Sequence, residues 1–317
     1  MNVGVFGAGA WGCALARVCA KSGNKVRHWG FNGVFDAISD LPNSGGIIKT
    51  DNMTDLQDCE YWLIVTPAAF FRETVQKMQK IYKKQPILIC TKGMEAQSGQ
   101  FMSEILQKEI PNCKNFGVLS GPQFANEVAQ GIPTGSTLAG NDIVRAGGHV
   151  ALSELYLQDS EDVIGAQICG VGKNAEALIS GYLTIKSGGE NERALMFTRA
   201  WNEIVDIAVE MGANVGTFHG LCGIGDLFLS ATSPTSRNFS AGMSIARGEE
   251  VTGTVEGIFA LSGLIRRAEQ LNIQTPVLCE MSDKMDLNRF KSSKDKVKDI
   301  DEKNLQATVQ KSVQIFR

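Results

Sequence analysis

Residues 3–12 read Val3-Gly-Val-Phe-Gly7-Ala-Gly9-Ala-Trp11-Gly12. A short apolar run suited to a buried strand leads straight into Gly-x-Gly-x-x-Gly, and an amphipathic stretch from Ala10 to Lys21 follows. Strand, glycine turn and helix in that order form the entrance to a dinucleotide-binding α/β unit. Gly7 suits the tight turn, Gly9 lets backbone approach a pyrophosphate, and Gly12 lets the helix pack on the strand. The positive end of that helix then faces the phosphates. The same glycines could serve only a packed turn, so the reading depends on what surrounds them.

What surrounds them is an alternation. Strand-like runs recur at Val3–Phe6, Lys25–Trp29, Tyr61–Val65, Ile87–Cys90 and Phe116–Leu119, with a weaker one near Ser136–Ala139. Between them lie helix-like stretches at Ala10–Lys21, Phe70–Tyr82, Met102–Glu109 and Ile143–Leu157. This pattern predicts an α/β fold with a mostly parallel sheet and helices on both faces. Asp162–Ile164 reads as a last short strand. Beyond it the period becomes helical: Ala194, Phe197, Trp201, Ile204, Ala208 and Met211 lie on one face, and Gly212 stops the helix. Val255 to Leu271 behaves likewise. The predicted division is therefore a Rossmann-type domain over residues 1–165 and an all-helical domain over 166–317, with the boundary near Gly165. No Pro- or Ser-rich linker separates them, so the two should pack closely around a cleft. The charged tail from Lys291 to Glu302 reads as a solvated helix or loop.

Bulk properties exclude several classes. The chain has 317 residues, 43% hydrophobic and 21% charged, with a formal net charge of −3, which argues against a basic nucleic-acid-binding surface. No apolar run approaches the length of a membrane span, and the amino terminus lacks the pattern of a signal peptide. The eight cysteines are scattered without a Cys-x-x-Cys pair, and His28, His149 and His219 are dispersed, so no metal site is expected. Such cysteine usage fits reducing cytoplasm.

Dinucleotide-binding units usually carry an acid at the end of the second strand to hold the adenosine ribose. Here that region reads Trp29-Gly30-Phe31-Asn32, and Asp36 follows within the next expected helix. Without the carboxylate, nothing repels a ribose 2′-phosphate, so both NAD and NADP are expected to serve.

Ligands of open α/β sheets bind beyond the carboxyl ends of the strands. Three segments stand there: Thr66-Pro67, Thr91-Lys92-Gly93, and Ser120-Gly121-Pro122-Gln123-Phe124-Ala125. Pro122 is placed to open a helix whose free N–H groups could receive an anion. In the second half, Lys173 and Asn174 sit among small and apolar residues, and between Met211 and Ala246 the only charged residues are Asp226 and Arg237. A lysine whose pKa is balanced between burial, a neighbouring lysine and a carboxylate can protonate a carbonyl oxygen. Arg237 and Asn238 form a donor group suited to a phosphate. The residues alone also allow a structural ion pair, Asp226–Arg237 or Lys173–Asp226.

Taken in order, these segments resemble the bacterial NAD(P)-dependent sn-glycerol-3-phosphate dehydrogenase family. The resemblance runs from Gly7 to Glu256. It is carried by the glycine loop with Trp11, Thr-Lys-Gly at Lys92, Ser-Gly-Pro at Gly121, Gly-x-x-Lys-Asn at Lys173, Gly-Ile-Gly-Asp at Asp226, Ser-Arg-Asn at Arg237 and Val-Glu-Gly at Glu256. It implies a Rossmann domain followed by a helical domain similar to that of 6-phosphogluconate dehydrogenase, reduction of dihydroxyacetone phosphate to sn-glycerol 3-phosphate for phospholipid synthesis, a homodimer, and no metal. It further implies that Lys173 is the proton donor, that Lys92 bridges substrate and cofactor, and that Asp226 supports the site. Ser236, Arg237 and Asn238 would hold the substrate, with Gly121 and Gln123 lining it. Gly7, Gly9, Ala10, Trp11, Gly12, Phe31, Ala125, Glu256 and Arg237 would contact NAD or NADP. The chain departs from the family pattern at Gln123, where Thr is usual, and at Phe31, where Arg or His is usual. It departs again at Gly172, where a larger apolar residue is usual and glycine should loosen the backbone beside Lys173. A dehydrogenase of another hydroxy acid and a catalytically idle nucleotide sensor are the alternatives. Ser-Arg-Asn argues against the first, and the intact Lys92, Lys173 and Asp226 argue against the second.

Overall fold

A computed structural model describes residues 1–41, 45–251 and 255–287. The expected charged tail from Lys291 to Glu302 lies outside them. Strands β1 (Asn2–Phe6), β2 (Lys25–Trp29), β3 (Ile47–Thr50), β4 (Tyr61–Ile64), β5 (Ile87–Ile89), β6 (Phe116–Ser120), β7 (Gly135–Gly140) and β8 (Tyr156–Ser160) form one sheet in the order β3-β2-β1-β4-β5-β6-β7-β8. Every neighbouring pair is parallel except β6 with β7. The register is in step with the apolar pattern: Val3 pairs with Val26 and Tyr61, and Phe6 with Trp29 and Ile64.

Side chains alternate across the strands and so serve two cores. Val3, Val5, Tyr61, Leu63 and Leu88 face one side, where they meet Cys13–Ala16, Val18 and Cys19 of helix α1 (Ala10–Lys21) and Val144 of α5 (Asp142–Ala151). Phe6, Trp62, Ile64, Ile87 and Ile89 face the other, against Phe71, Val75 and Met78 of α2 (Ala68–Gln79) and Ile105 and Leu106 of α3 (Met102–Glu109). Coverage of both faces is why β4 and β5 are apolar without interruption.

The second core continues into the helical half. Helix α6 (Val163–Lys186) is buried over most of Gly165–Leu183 and lies among α7 (Glu190–Glu210), α8 (Asp226–Thr232), α9 (Arg237–Arg247) and α10 (Glu256–Leu271). A short α4 (Ala125–Gln130) and a final α11 (Pro276–Lys284) complete the described elements. Glycines permit the closest crossing: a Cβ on Gly181 would lie 2.0 Å from Phe239 O, and one on Gly242 would lie 2.1 Å from Leu178 O. No helix among the described residues is long and apolar enough to cross a membrane.

Several expectations about local structure require correction. β3 was not foreseen, since its residues are half-exposed or exposed and Lys49 lies within it. The predicted helix over Ile143–Leu157 ends at Ala151, and its last residues belong to the edge strand β8. Asp162–Ile164 is not a strand: Asp162 caps α6, its Oδ1 accepting from Gly165 N at 2.7 Å. The expected boundary near Gly165 thus falls in the first turn of α6. Pro122 does not open a helix; α4 begins at Ala125. Asp36 stands just before a one-turn helix, Ala37–Asp40, and caps it through Ile38 N.

Candidate active site

The glycine loop follows β1, where the sheet order turns from β2 on one side to β4 on the other. Gly7 has φ +118°, and a Cβ there would meet Thr66 N and Val65 C at 2.8 Å. A Cβ on Gly12 would stand 1.9 Å from Gly7 O, so α1 can approach the turn only with glycine at this position. A Cβ on Gly9 would meet nothing within 4 Å, so the backbone here lies open. This is the shape a pyrophosphate needs at the start of α1, next to Ala10 and Trp11. Behind the turn, His28 Nε2 lies 2.9 Å from Gly7 O. Burial lowers the His28 pKa to about 4, so the imidazole is neutral and Nε2–H donates to that carbonyl.

The strand ends connect this loop to the lysines. Gly7 backs onto Thr66, Thr66 O accepts from Thr91 Oγ1 at 2.7 Å, and Lys92 follows. Lys92 Nζ donates to Gly121 O at 2.9 Å and to Asp226 Oδ2 at 2.5 Å. Lys173, from the middle of α6, reaches the other carboxylate oxygen, with Nζ 3.1 Å from Asp226 Oδ1. It also donates to Ser230 Oγ at 2.9 Å, and Ser230 Oγ donates to Asp226 Oδ1 at 3.4 Å. Asp226 is completely buried. Burial raises its pKa, but Lys173 and Lys92 together outweigh that and hold it below the usual carboxylate range. Burial pushes Lys173 below the ordinary lysine value; Asp226 opposes this and Lys92 adds to it. Two cations on one carboxylate leave a net positive cluster, suited to an anionic substrate.

The other expected site residues fall around this cluster in different states. Gly121 supplies the carbonyl that holds Lys92, and a Cβ there would press on Gly135 O and Ser136 Cα at 2.7 Å. Gln123 Oε1 accepts from Ser136 Oγ at 2.7 Å, while its Nε2 is buried without a hydrogen-bond partner among the described residues. Ser236 caps α9. Arg237, the first residue of that helix, is exposed and forms no ion pair among the described residues; Asp226 and Arg237 are not partners. The Asn238 amide is already engaged: Nδ2 donates to Asn174 Oδ1 at 2.9 Å, and Oδ1 accepts from Gly257 N at 2.9 Å. Asn174 in turn donates to Glu256 Oε2 at 3.1 Å. Ala125 is the first residue of α4, and Phe31 is 55% exposed beyond β2, with Lys77 Nζ 5.4 Å from its ring centre. Past the ends of β2 and β3 a cavity is lined by Phe35, Ser39, Asp40, Lys49 and Asp51, among others.

Comparison with known proteins gives the family. The NAD-dependent glycerol-3-phosphate dehydrogenase N-terminus profile matches residues 2–146, and the corresponding C-terminus profile matches residues 162–286. The chain belongs to the NAD-dependent glycerol-3-phosphate dehydrogenase family. A glycerol-3-phosphate dehydrogenase (NAD(P)+) of Maricaulis maris is 35% identical, covering 88% of this chain and 90% of that protein. One from Gluconobacter oxydans is also 35% identical, covering 87% and 90%. The crystal structure of glycerol-3-phosphate dehydrogenase from Coxiella burnetii superposes with a TM-score of 0.80 at 27% identity, covering 90% of this chain and 94% of that one. A ketopantoate reductase from Ralstonia eutropha shares the fold, with a TM-score of 0.62 at 14% identity.

Within this glycerol-3-phosphate dehydrogenase family member, two residues of the site escaped sequence reasoning. Ser230 lies one helical turn after Asp226, a spacing that could have flagged it. His28 was considered only as a metal ligand; its contact with Gly7 depends on the pairing of β1 with β2. Gly172 also has a different role from the one expected. It sits inside uninterrupted helix α6, where a Cβ would meet Ile204 Cγ2 at 2.7 Å. The glycine lets α7 pack closely on α6, and the backbone beside Lys173 is regular.

Proposed function

We propose that this protein catalyses the reversible NAD(P)-dependent reduction of dihydroxyacetone phosphate to sn-glycerol 3-phosphate. The observation that carries the proposal is the convergence of Lys92 Nζ and Lys173 Nζ on the two oxygens of buried Asp226, at 2.5 and 3.1 Å. The open backbone at Gly9 and the glycine-only contacts at Gly7 and Gly12 fit a dinucleotide pyrophosphate. Gly7, Gly9, Ala10, Trp11 and Gly12 would hold it, with Phe31, Ala125, Glu256 and Arg237 as further contacts. When bound, the dinucleotide supplies or takes up the hydride.

Lys173 gives a proton from Nζ to the carbonyl oxygen during reduction and recovers it in the reverse direction. Its lowered pKa makes it a better acid than an ordinary lysine, and Asp226 with Ser230 orients it. Lys92 holds the substrate beside the cofactor. Arg237 stands at the positive end of α9, where a cation opposes the helix dipole unless an anion joins it. That placement supports Arg237 as a phosphate ligand, with Ser236, Gly121 and the free Gln123 Nε2 around it. Asn238 acts on the substrate side through Asn174, the residue after Lys173.

The test follows loss of reduced nicotinamide absorbance with dihydroxyacetone phosphate and either cofactor. Robust turnover that Lys173→Ala abolishes supports the reading. Cofactor binding without turnover would favour a nucleotide sensor, and turnover of ketopantoate in preference to the phosphate ester would favour another hydroxy-acid dehydrogenase. The division into a Rossmann domain over 1–165 and a helical domain over 166–317, a homodimer, cytoplasmic residence and a role in glycerophospholipid synthesis belong to the same proposal.

A further inference from the structure

The second strand ends without the acid that usually holds the adenosine ribose, and its neighbour supplies one. β2 and β3 run parallel, with Trp29 opposite Thr50. Their ladder continues for one more bond, from Gly30 N to Thr50 O at 3.0 Å, and Trp29 Nε1 donates to Asp51 O at 2.9 Å. Asp51 therefore stands level with the start of the loop that follows β2, one strand spacing of about 4.8 Å to the side. That loop turns back toward it through Gly33, at φ +71°, where a Cβ would lie 3.9 Å from Asp51 Cβ. Asp51 is exposed, and its carboxylate has no partner among the described residues. Gly33 and Asp51 line the cavity past the ends of β2 and β3, whose volume of about 530 Å³ suits a small polar ligand. Phe35 joins this cavity to the glycine loop: a Cβ on Gly30 would stand 3.0 Å from Phe35 Cζ and 2.9 Å from Ala8 Cβ, and Asp36 N donates to Ala8 O at 2.9 Å. A dinucleotide with its pyrophosphate on Gly7–Gly12 would thus extend its adenosine end into the cavity. Lys49 lies two residues before Asp51 and so on the same face of the strand. Its Nζ donates to Ser39 Oγ at 3.0 Å and to Asp40 Oδ1 at 2.9 Å, which leaves one of its three protons unused.

We propose that Asp51 and Lys49, both carried by β3, set the choice between NAD and NADP. Asp51 takes over the work of the missing β2 acid and accepts a hydrogen bond from the ribose 2′-hydroxyl of NAD. Lys49 donates to the 2′-phosphate of NADP, together with the Ser39 hydroxyl. The Lys49–Asp40 pair does not stand in the way, because its side chains are 40% and 76% exposed. An ion pair so open to water holds weakly and yields to a dianion. The two functions oppose each other across one cavity: Asp51 repels the 2′-phosphate that Lys49 attracts. Neither cofactor is therefore excluded, and the balance between them rests on these two side chains and not on the loop after β2.

The inference rests on the reading of the glycine loop as a dinucleotide site, but it is scored by binding and needs no turnover, so failure of the proposed reaction would leave it standing. Dissociation constants of NADH and NADPH are measured by fluorescence titration, and those of 5′-AMP and 2′,5′-ADP by calorimetry, on the full-length protein and its variants. Lys49→Met should weaken NADPH and 2′,5′-ADP roughly tenfold, the scale of a lost hydrogen bond to a charged group, and leave NADH and 5′-AMP within about twofold. Asp51→Asn should act the other way, tightening NADPH and weakening NADH, so that their ratio moves roughly tenfold toward NADPH. Lys83→Met breaks another exposed pair, Lys83–Asp58, before β4 and β5 at the opposite end of the sheet, and should move none of the four constants. Equal weakening of both cofactors by Lys49→Met or by Asp51→Asn would mark a merely structural role and overturn the proposal. So would an unchanged NADPH constant in Lys49→Met, or an unchanged ratio in Asp51→Asn.

Discussion

Lys92 Nζ lies 2.5 Å from Asp226 Oδ2, although Lys92 lies in the loop after strand β5 and Asp226 begins a helix of the other half of the chain. This contact joins the two halves at the site. It leaves the second carboxylate oxygen for Lys173, so one buried anion positions both cations.

That arrangement sets a pH dependence. In the proposed mechanism the acid form of Lys173 serves reduction and the neutral amine serves oxidation. Burial lowers the Lys173 pKa. The kcat for reduction should therefore fall as pH rises, with its midpoint below the ordinary lysine value of about 10.4, and oxidation should rise through the same midpoint. Lys173→Ala should cost roughly a hundred- to ten-thousand-fold in kcat. Rate profiles in both directions check this; a reduction rate flat to the ordinary lysine range would refute it.

Gly12→Ala should impair cofactor binding without unfolding the chain. The new Cβ would fall 1.9 Å from Gly7 O, so the pyrophosphate turn must move. Overpacking of this kind costs about 1–3 kcal/mol, which is about five- to 150-fold in Kd if it falls on the bound state. Fluorescence titration with NADH beside a circular dichroism spectrum reads both parts.

His28 should make stability fall in acid. Its folded pKa is about 4, depressed chiefly by burial, against about 6.5 in the unfolded chain. Between those values the unfolded chain binds the extra proton, so the contribution is intact above pH 6.5 and is lost as pH falls toward 4. At pH 5 the loss is on the order of 2 kcal/mol. In denaturant titrations, His28→Gln should lose less stability than wild type between pH 7 and 5.

Glu176 should cost the protein stability. It is completely buried in α6, neither carboxyl oxygen has a hydrogen-bond partner among the described residues, and burial and then Glu203 push its pKa well above the usual range. Glu203 itself is satisfied by Val277 N and Leu278 N at 2.8 and 2.9 Å. Glu176→Leu should stabilise by about 1–3 kcal/mol near neutral pH. Because the folded pKa is raised, the penalty grows as pH rises above the unfolded carboxyl value, and the gain should grow with it. Thermal unfolding at pH 5 and pH 8 compares the two.

Both reduced cofactors should support turnover. No carboxylate ends β2, Phe31 is exposed there, and Asp40 in the adjoining cavity is paired with Lys49 at 2.9 Å. A preference for NADH over NADPH of several orders of magnitude in kcat/KM would refute the prediction.

Elements whose signals are local were legible in the chain. α1 and α3 begin and end where their amphipathic pattern does, and the glycine loop announced its turn, because a positive φ at Gly7 and a close approach at Gly12 constrain residue type directly. Residue types also marked Lys92, Lys173, Asp226 and Arg237, since isolated charges among small and apolar residues need partners or a function. Edge strands β3 and β8 were missed because, half-solvated, they carry little apolar periodicity. Which partner each charge takes was decided only by tertiary structure. Spacing allowed Asp226 to pair with Arg237, but α6 docked on β6 brings Lys173 and Lys92 to it instead, while α9 faces Arg237 outward and turns Asn238 into the core. Backbone periodicity can be read from neighbours in sequence; electrostatic pairing depends on distances that exist only once the sheet and the helices have packed.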